Sequence, residues 1–253
     1  MIGIIGGSGL AKLVGLENVR REIARTAWGQ PSSALSFGDL DGTPVVFMAR
    51  HGYGHTIAPQ DINYRANISA LKQAGADAII SVATVGGIRH DLTPGTLVVP
   101  DQLIDYSTGR DSTYYTGPGQ PVIHIDFTQP YDAVLRQRLM AAARVLATAV
   151  VDGGCYACTQ GPRLETAAEI RRLERDGCHL VGMTGMPEAV LAREAEIAYA
   201  TLAVVANYAA GKGDSLDAVP LHTVSAVLEE AMVRVLAILG QAVKPAHASL
   251  AHP

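Results

Sequence analysis

Ser8 sits between Gly7 and Gly9, directly after the apolar run IGIIG, where backbone N–H groups and a small hydroxyl can surround an anion. Arg50 and His51 follow a second apolar run, PVVFMA, in the stretch ARHGYGH. A guanidinium is a planar fork matched to phosphate oxygens, and a neighbouring imidazole can donate one further hydrogen bond. A third loop, GMTGMPE, follows the short apolar run HLVG and supplies Met183 and the hydroxyl of Thr184. If these three strand ends converge, Ser8, Arg50, His51 and Thr184 form a phosphate cradle, because loops at strand ends line the crevice of α/β proteins. Each piece alone has a plainer reading: GGSG as a structural turn, and the Arg-His pair as a surface ion-pair candidate.

Other chemistries fit the sequence less well. A dinucleotide-binding turn needs a third small residue after Gly7 and Gly9, and the chain has Lys12 there. No Walker-type GK[ST] is present, so the bound anion need not belong to a nucleoside triphosphate. Cys155, Cys158 and Cys178 are too few for a disulfide framework, and their odd number argues for a reducing compartment. The CYAC pair has zinc spacing but no second pair to complete four ligands, so buried thiols are expected. His51 and His55 have i, i+4 spacing, but the two glycines between them disfavour a helix; no metal site is expected. Twenty basic against twenty-four acidic residues give a net charge of −4, without a Lys/Arg block dense enough for a nucleic-acid partner. The most apolar long stretch, Leu139 to Val151, is about half a membrane span and is interrupted by Arg144 and Thr148. With no basic segment before the first apolar residues, a soluble cytoplasmic protein is expected.

The elements that must position these residues alternate along the 253-residue chain. Strand-length apolar runs fall at 2–6, 44–49, 77–85, 96–100 and 199–207, between helical patterns at 63–76, 131–149, 164–175 and 220–239. That order predicts an α/β fold around a largely buried sheet. Asp41-Gly42, between two short apolar runs, signals a hairpin, so the central sheet should be mixed. No linker, repeat or composition shift divides the chain: a single domain over 1–244 is expected, with a loosely ordered tail, PAHASLAHP, over 245–253.

Taken in order, IIGGSGL, ARHGYGHTIAPQDINYRANISAL, TVGGIRHDLTPGTLVVPDQLIDY, QGPRLET and MTGMPEAVLAREAEIAYATLAVVANY resemble the trimeric purine nucleoside phosphorylases and methylthioadenosine phosphorylases over nearly the whole chain. The resemblance implies a central mixed sheet flanked by helices, a homotrimer, and attack of inorganic phosphate on the ribose C1′ of a purine nucleoside without a cofactor. The family's phosphate ligands map onto Ser8, Arg50, His51 and Thr184, and its ribose contact onto Met183. One departure is the order Ala83-Thr84, where adenosine-type relatives have Thr-Ala.

The purine contacts depart more informatively. Methylthioadenosine enzymes carry an Asp-Tyr-Asp stretch where this chain reads Asn207-Tyr208-Ala209, and Ser where it has Glu165. Both changes resemble the phosphorylases that act on inosine and guanosine. Hypoxanthine presents an N1–H donor and an O6 acceptor, so the Glu165 carboxylate can accept from N1–H while the Asn207 amide donates to O6 and accepts from N7–H. Adenine N1 would instead set a lone pair against the carboxylate. The plainer reading has Glu165 starting a helix and Asn207 ending a strand.

At the 5′ end, an inward helical stripe of Leu221, Val224 and Leu228 puts Leu221 where relatives carry a histidine for the 5′-hydroxyl, with His222 pointing elsewhere; a one-residue slip reverses this. S-methyl-5′-thioinosine is therefore the favoured substrate, with inosine, guanosine or methylthioadenosine as alternatives. His124, in IHIDF, resembles a residue that reaches into a neighbouring subunit's site. Two other classes are a nucleoside-binding sensor, which has no need for a phosphate cradle, and a nicotinamide-dependent oxidoreductase, which Lys12 weakens.

Overall fold

The computed structural model describes residues 1–245, so the expectation for the tail lies, apart from Pro245, outside the described residues. In chain order the elements are β1 (Ile2–Gly6), β2 (Leu16–Glu22), β3 (Leu35–Leu40), β4 (Thr43–Ala49), α1 (Tyr64–Gln73), β5 (Ala78–Gly87), β6 (Leu97–Val99) and β7 (Gln102–Asp105). They continue with α2 (Ala133–Val145), β8 (Val151–Asp152), β9 (Cys155–Cys158), α3 (Ala167–Arg175), β10 (Leu180–Gly182), α4 (Gly185–Glu194), β11 (Ala198–Tyr208) and α5 (Leu221–Val243). The strands form one mixed sheet flanked by helices, as the alternation of the sequence predicts. The expected hairpin joins β3 to β4: Asp41 and Gly42 both take left-handed backbone, with φ of 47° and 73°, the pattern that a two-residue turn requires.

The core lies on both faces of the sheet. Ile4 clusters with Leu135 and Leu139 of α2 and Val235 and Ile238 of α5. Its neighbour Ile5 clusters with Ile68 and Leu71 of α1 and Leu191 of α4. A strand buried on both sides reads as a continuous apolar run, which is why IGIIG shows no alternation.

Some boundaries differ from the sequence reading, for local reasons. α2 starts only after Asp132, whose side chain accepts from the Leu135 N–H, and it stops before Ala147, which is left-handed at φ 50°. α3 starts at Ala167 and not Leu164, because Thr166 and Glu169 form a reciprocal capping box. α4 was not expected: Ala189, Leu191 and Ala192 are all buried, so its apolar residues make no stripe. Among the described residues no helix is long and apolar enough to cross a membrane.

β5 organises the rest. β11 pairs with it in parallel from Ala78 to Gly87 and so occupies one whole edge. β1 and β10 must share the other edge: β1 pairs with residues 78–81, and β10 runs antiparallel beside Gly86 and Gly87. Between them, residues 82–85 have no strand partner on that edge among the described residues. The gap lies directly beyond the end of β1.

Candidate active site

A cavity of about 470 Å³ opens over this gap. Ser8 enters it from the loop after β1, Arg50 and His51 from the end of β4, and Met183 and Thr184 from the end of β10. Glu165 comes from the loop before α3, Asn207 and Ala209 from the end of β11, and Leu221 and Val224 from the start of α5.

Arg50 is 1% exposed and its guanidinium is almost fully committed. Nε donates to Glu188 Oε2 at 2.7 Å, Nη2 donates to Glu188 Oε1 at 2.9 Å and Ser81 Oγ at 2.6 Å, and Nη1 donates to the Val82 carbonyl at 3.1 Å. Of its five N–H groups, one on Nη1 is left over. Burial alone would lower the pKa of Arg50, but the Glu188 carboxylate outweighs that and raises it above its ordinary value. Glu188 also accepts from Ser81 Oγ and Tyr199 OH, both at 2.8 Å. Gly7 admits this arrangement, because a methyl there would sit 2.7 Å from the Val82 oxygen and 2.8 Å from Nη1.

His51 does not present the donor that its position suggests. Its Nδ1 lies 2.8 Å from the Ile57 carbonyl, which can only accept, so the proton of the neutral ring sits on Nδ1. Burial, and then the Arg50 charge, push its pKa down to about 4. At neutral pH its Nε2 therefore offers a lone pair. On the other wall, the Thr84 hydroxyl donates to the Ser8 carbonyl at 2.9 Å and fixes the glycine loop. The departure at Ala83-Thr84 thus buries Ala83 in the core and gives the Ser8 loop a hydroxyl anchor.

At the far end, Thr159 Oγ1 donates to Glu165 Oε1 at 2.6 Å. Glu165 immediately precedes Thr166, the cap of α3, and so lies just outside the helix that the plainer reading has it start. Asn207 Nδ2 donates to the Tyr208 carbonyl at 2.6 Å, which leaves its second N–H and its Oδ1 unspent. A register shift between Val205 and Asn207 turns Ala206 and Asn207 to the same side, and both line the cavity. Tyr208 does not line it. Its ring packs against Gly213, where a methyl would fall 2.5 Å from it. Leu221, Val224 and Leu228 form one wall, i, i+3 and i+7 on α5, whereas His222 is exposed and outside the lining. His124 is exposed on the segment before α2 and does not line its own chain's cavity.

Sequence reasoning missed Glu188 as a site residue, although it lies inside the quoted GMPE. Its signal was a carboxylate among residues that all bury: such an acid needs a cation, and Arg50 is the one it finds.

The family model described as the phosphorylase superfamily matches residues 1–244. The chain belongs to the phosphorylase superfamily. A protein named "Probable S-methyl-5'-thioinosine phosphorylase", from Pseudomonas syringae pv. tomato, is 51% identical over 239 residues, 94% of this chain and 96% of that one. A "Probable 6-oxopurine nucleoside phosphorylase" from Thermococcus kodakarensis is 47% identical over 215 residues, 83% of this chain and 80% of the relative. Among solved structures, methylthioadenosine phosphorylase from Schistosoma mansoni in complex with adenine superposes with a TM-score of 0.91 at 32% identity, covering 96% of this chain and 90% of that one. This phosphorylase is accordingly an enzyme, a pentosyltransferase that uses phosphate and a purine nucleoside.

Proposed function

We propose that this phosphorylase cleaves a 6-oxopurine nucleoside, S-methyl-5′-thioinosine foremost, to hypoxanthine and 5-methylthioribose 1-phosphate. The observation that carries the reading is the pairing of two ends of one cavity: Glu165 and Asn207 at one, and the apolar Leu221, Val224 and Leu228 at the other, with His222 outside. The relative from Pseudomonas syringae supports the same choice by its name.

In the proposed reaction, hydrogen phosphate lies in the gap of β5 and accepts from Ser8, Thr184 and the spare Arg50 N–H, while its own P–OH donates to His51 Nε2. As the bond from C1′ to N9 lengthens, the ribose becomes cation-like and the adjacent anion stabilises it before attacking. The electron pair goes to the purine. Glu165 accepts from N1–H, the spare Asn207 N–H donates to O6, and Asn207 Oδ1 accepts from N7–H. The proton of hydrogen phosphate ends on the base, so no cofactor and no covalent intermediate is needed. Met183 meets the ribose.

A homotrimer in the cytoplasm completes the proposal. Three free thiols, Cys155, Cys158 and Cys178, suit a reducing compartment. An exposed His124 and a Leu221 that is 64% exposed at the cavity mouth suit a site completed by a neighbouring subunit. Inosine and guanosine form the second reading, favoured by the relative from Thermococcus kodakarensis.

The test is kcat/KM with phosphate for methylthioinosine, inosine, guanosine and methylthioadenosine. Methylthioinosine should lead. Equal rates with inosine would remove the apolar wall's role, and a lead for methylthioadenosine would overturn the base assignment.

A further inference from the structure

Glu165 stands between two cavities. It lines the one described above and also a neighbouring hollow lined by Tyr106, Thr159 and Arg172. Thr159 lines only the second. It therefore approaches the carboxylate from behind, as seen from the substrate, and its hydroxyl holds Oε1 at 2.6 Å. Thr159 is itself fixed: its N–H donates to the Gly182 carbonyl at 2.8 Å, and its own carbonyl accepts from Arg110 at 3.3 Å.

We propose that Thr159 is a specificity-determining positioning residue, which fixes the orientation of the Glu165 carboxylate and so selects hypoxanthine nucleosides over guanine nucleosides. This inference rests on the 6-oxopurine reading above. The chemistry lies in the purine edges. Hypoxanthine offers the carboxylate one donor, N1–H. Guanine offers two side by side, N1–H and an N2 amino hydrogen, which match a carboxylate that turns both oxygens to the base. The Thr159 bond turns Oε1 toward Thr159, which does not line the substrate cavity, and so leaves Oε2 as the oxygen better placed for the base. A one-donor edge is fully satisfied by it. A two-donor edge needs both oxygens turned toward it, and turning Oε1 to the base stretches the Thr159 bond. The same bond removes the rotameric freedom of a long side chain before substrate arrives.

The measurement is kcat/KM for inosine and guanosine, with phosphate saturating, in the parent enzyme, Thr159→Val and Thr159→Ser. Valine keeps the branched shape and the backbone bond to Gly182 while deleting the hydroxyl. The parent should favour inosine. In Thr159→Val the guanosine-to-inosine ratio should rise by about tenfold, the size of a charge-assisted hydrogen bond, chiefly through KM, and Thr159→Ser should restore the parental ratio. A purely structural role would lower both substrates together, along with the melting temperature. A ratio that stays within twofold of the parent in Thr159→Val overturns the assignment of Thr159 alone. A parent enzyme that cleaves adenosine-type nucleosides and neither 6-oxopurine overturns the 6-oxopurine reading, and this inference with it.

Discussion

At the residue scale, the pair formed by Arg50 and Glu188 determines how an anion can bind. The arginine's charge is matched by a carboxylate at 2.7 Å, both groups are buried, and one N–H remains for a ligand. Glu188→Gln leaves that cation without its counter-ion, so stability should fall by about 3–5 kcal/mol. Thermal unfolding will read this, and the KM for phosphate should rise in the same variant. His51 gives a pH signature. Its pKa is about 4 in the folded protein against an ordinary 6.5, so between those values the unfolded chain holds a proton that the folded one does not. Stability supplied by this group is therefore complete above 6.5 and declines as the pH falls toward 4. Melting temperatures measured across that window should slope, and the slope should flatten in His51→Asn. At the base, Asn207→Asp removes the donor to O6 and should move the ratio of 6-aminopurine to 6-oxopurine efficiency by about tenfold or more. An unmoved ratio would end the assignment of Asn207 to base recognition. Most of these residues were legible because reactive side chains at strand ends are visible in sequence. Thr159 and the tautomer of His51 were not, since both depend on atoms that meet only after folding.

At the element scale, the site exists because β5 lends one edge to two strands that do not meet. The apolar runs located β1, β4, β5 and β11, and Asp41-Gly42 located the hairpin, since burial on two faces and left-handed turn residues leave direct marks on sequence. The four-residue β9 left none, being shorter than any period can register, and the three-residue β10 showed only as the apolar run HLVG. Nor did the gap itself, which follows from pairing. Its narrowness accounts for Gly7. Gly7→Ala would press a methyl against both Val82 and Arg50, and should cut kcat/KM for phosphate by about 10- to 100-fold. The apparent KM for nucleoside should change much less. The bulge at Ala206 likewise had no sequence signal, yet it accompanies the placement of Asn207 on the cavity wall.

At the scale of the whole molecule, the expected trimer is tested by light scattering and then by complementation. If His124 serves the neighbouring site, His124→Ala lowers activity without lowering the melting temperature of the assembled protein. Subunits carrying His124→Ala and subunits carrying Asn207→Ala, each of lowered activity alone, should gain activity when unfolded together and refolded as mixed rings, with about a quarter of the sites intact at equal mixing. Two separate preparations combined without refolding should not. The trimer is an expectation from family resemblance alone, because an interface leaves no periodic trace distinct from the core. The cavity draws its parts from many places: the proposed anion ligands come from the ends of β1, β4 and β10, and the proposed purine contacts from the end of β11 and the loop before α3. No strand end serves both sets. The two halves can therefore vary separately: a substitution at the proposed purine end changes which base is accepted and leaves the anion ligands where they are.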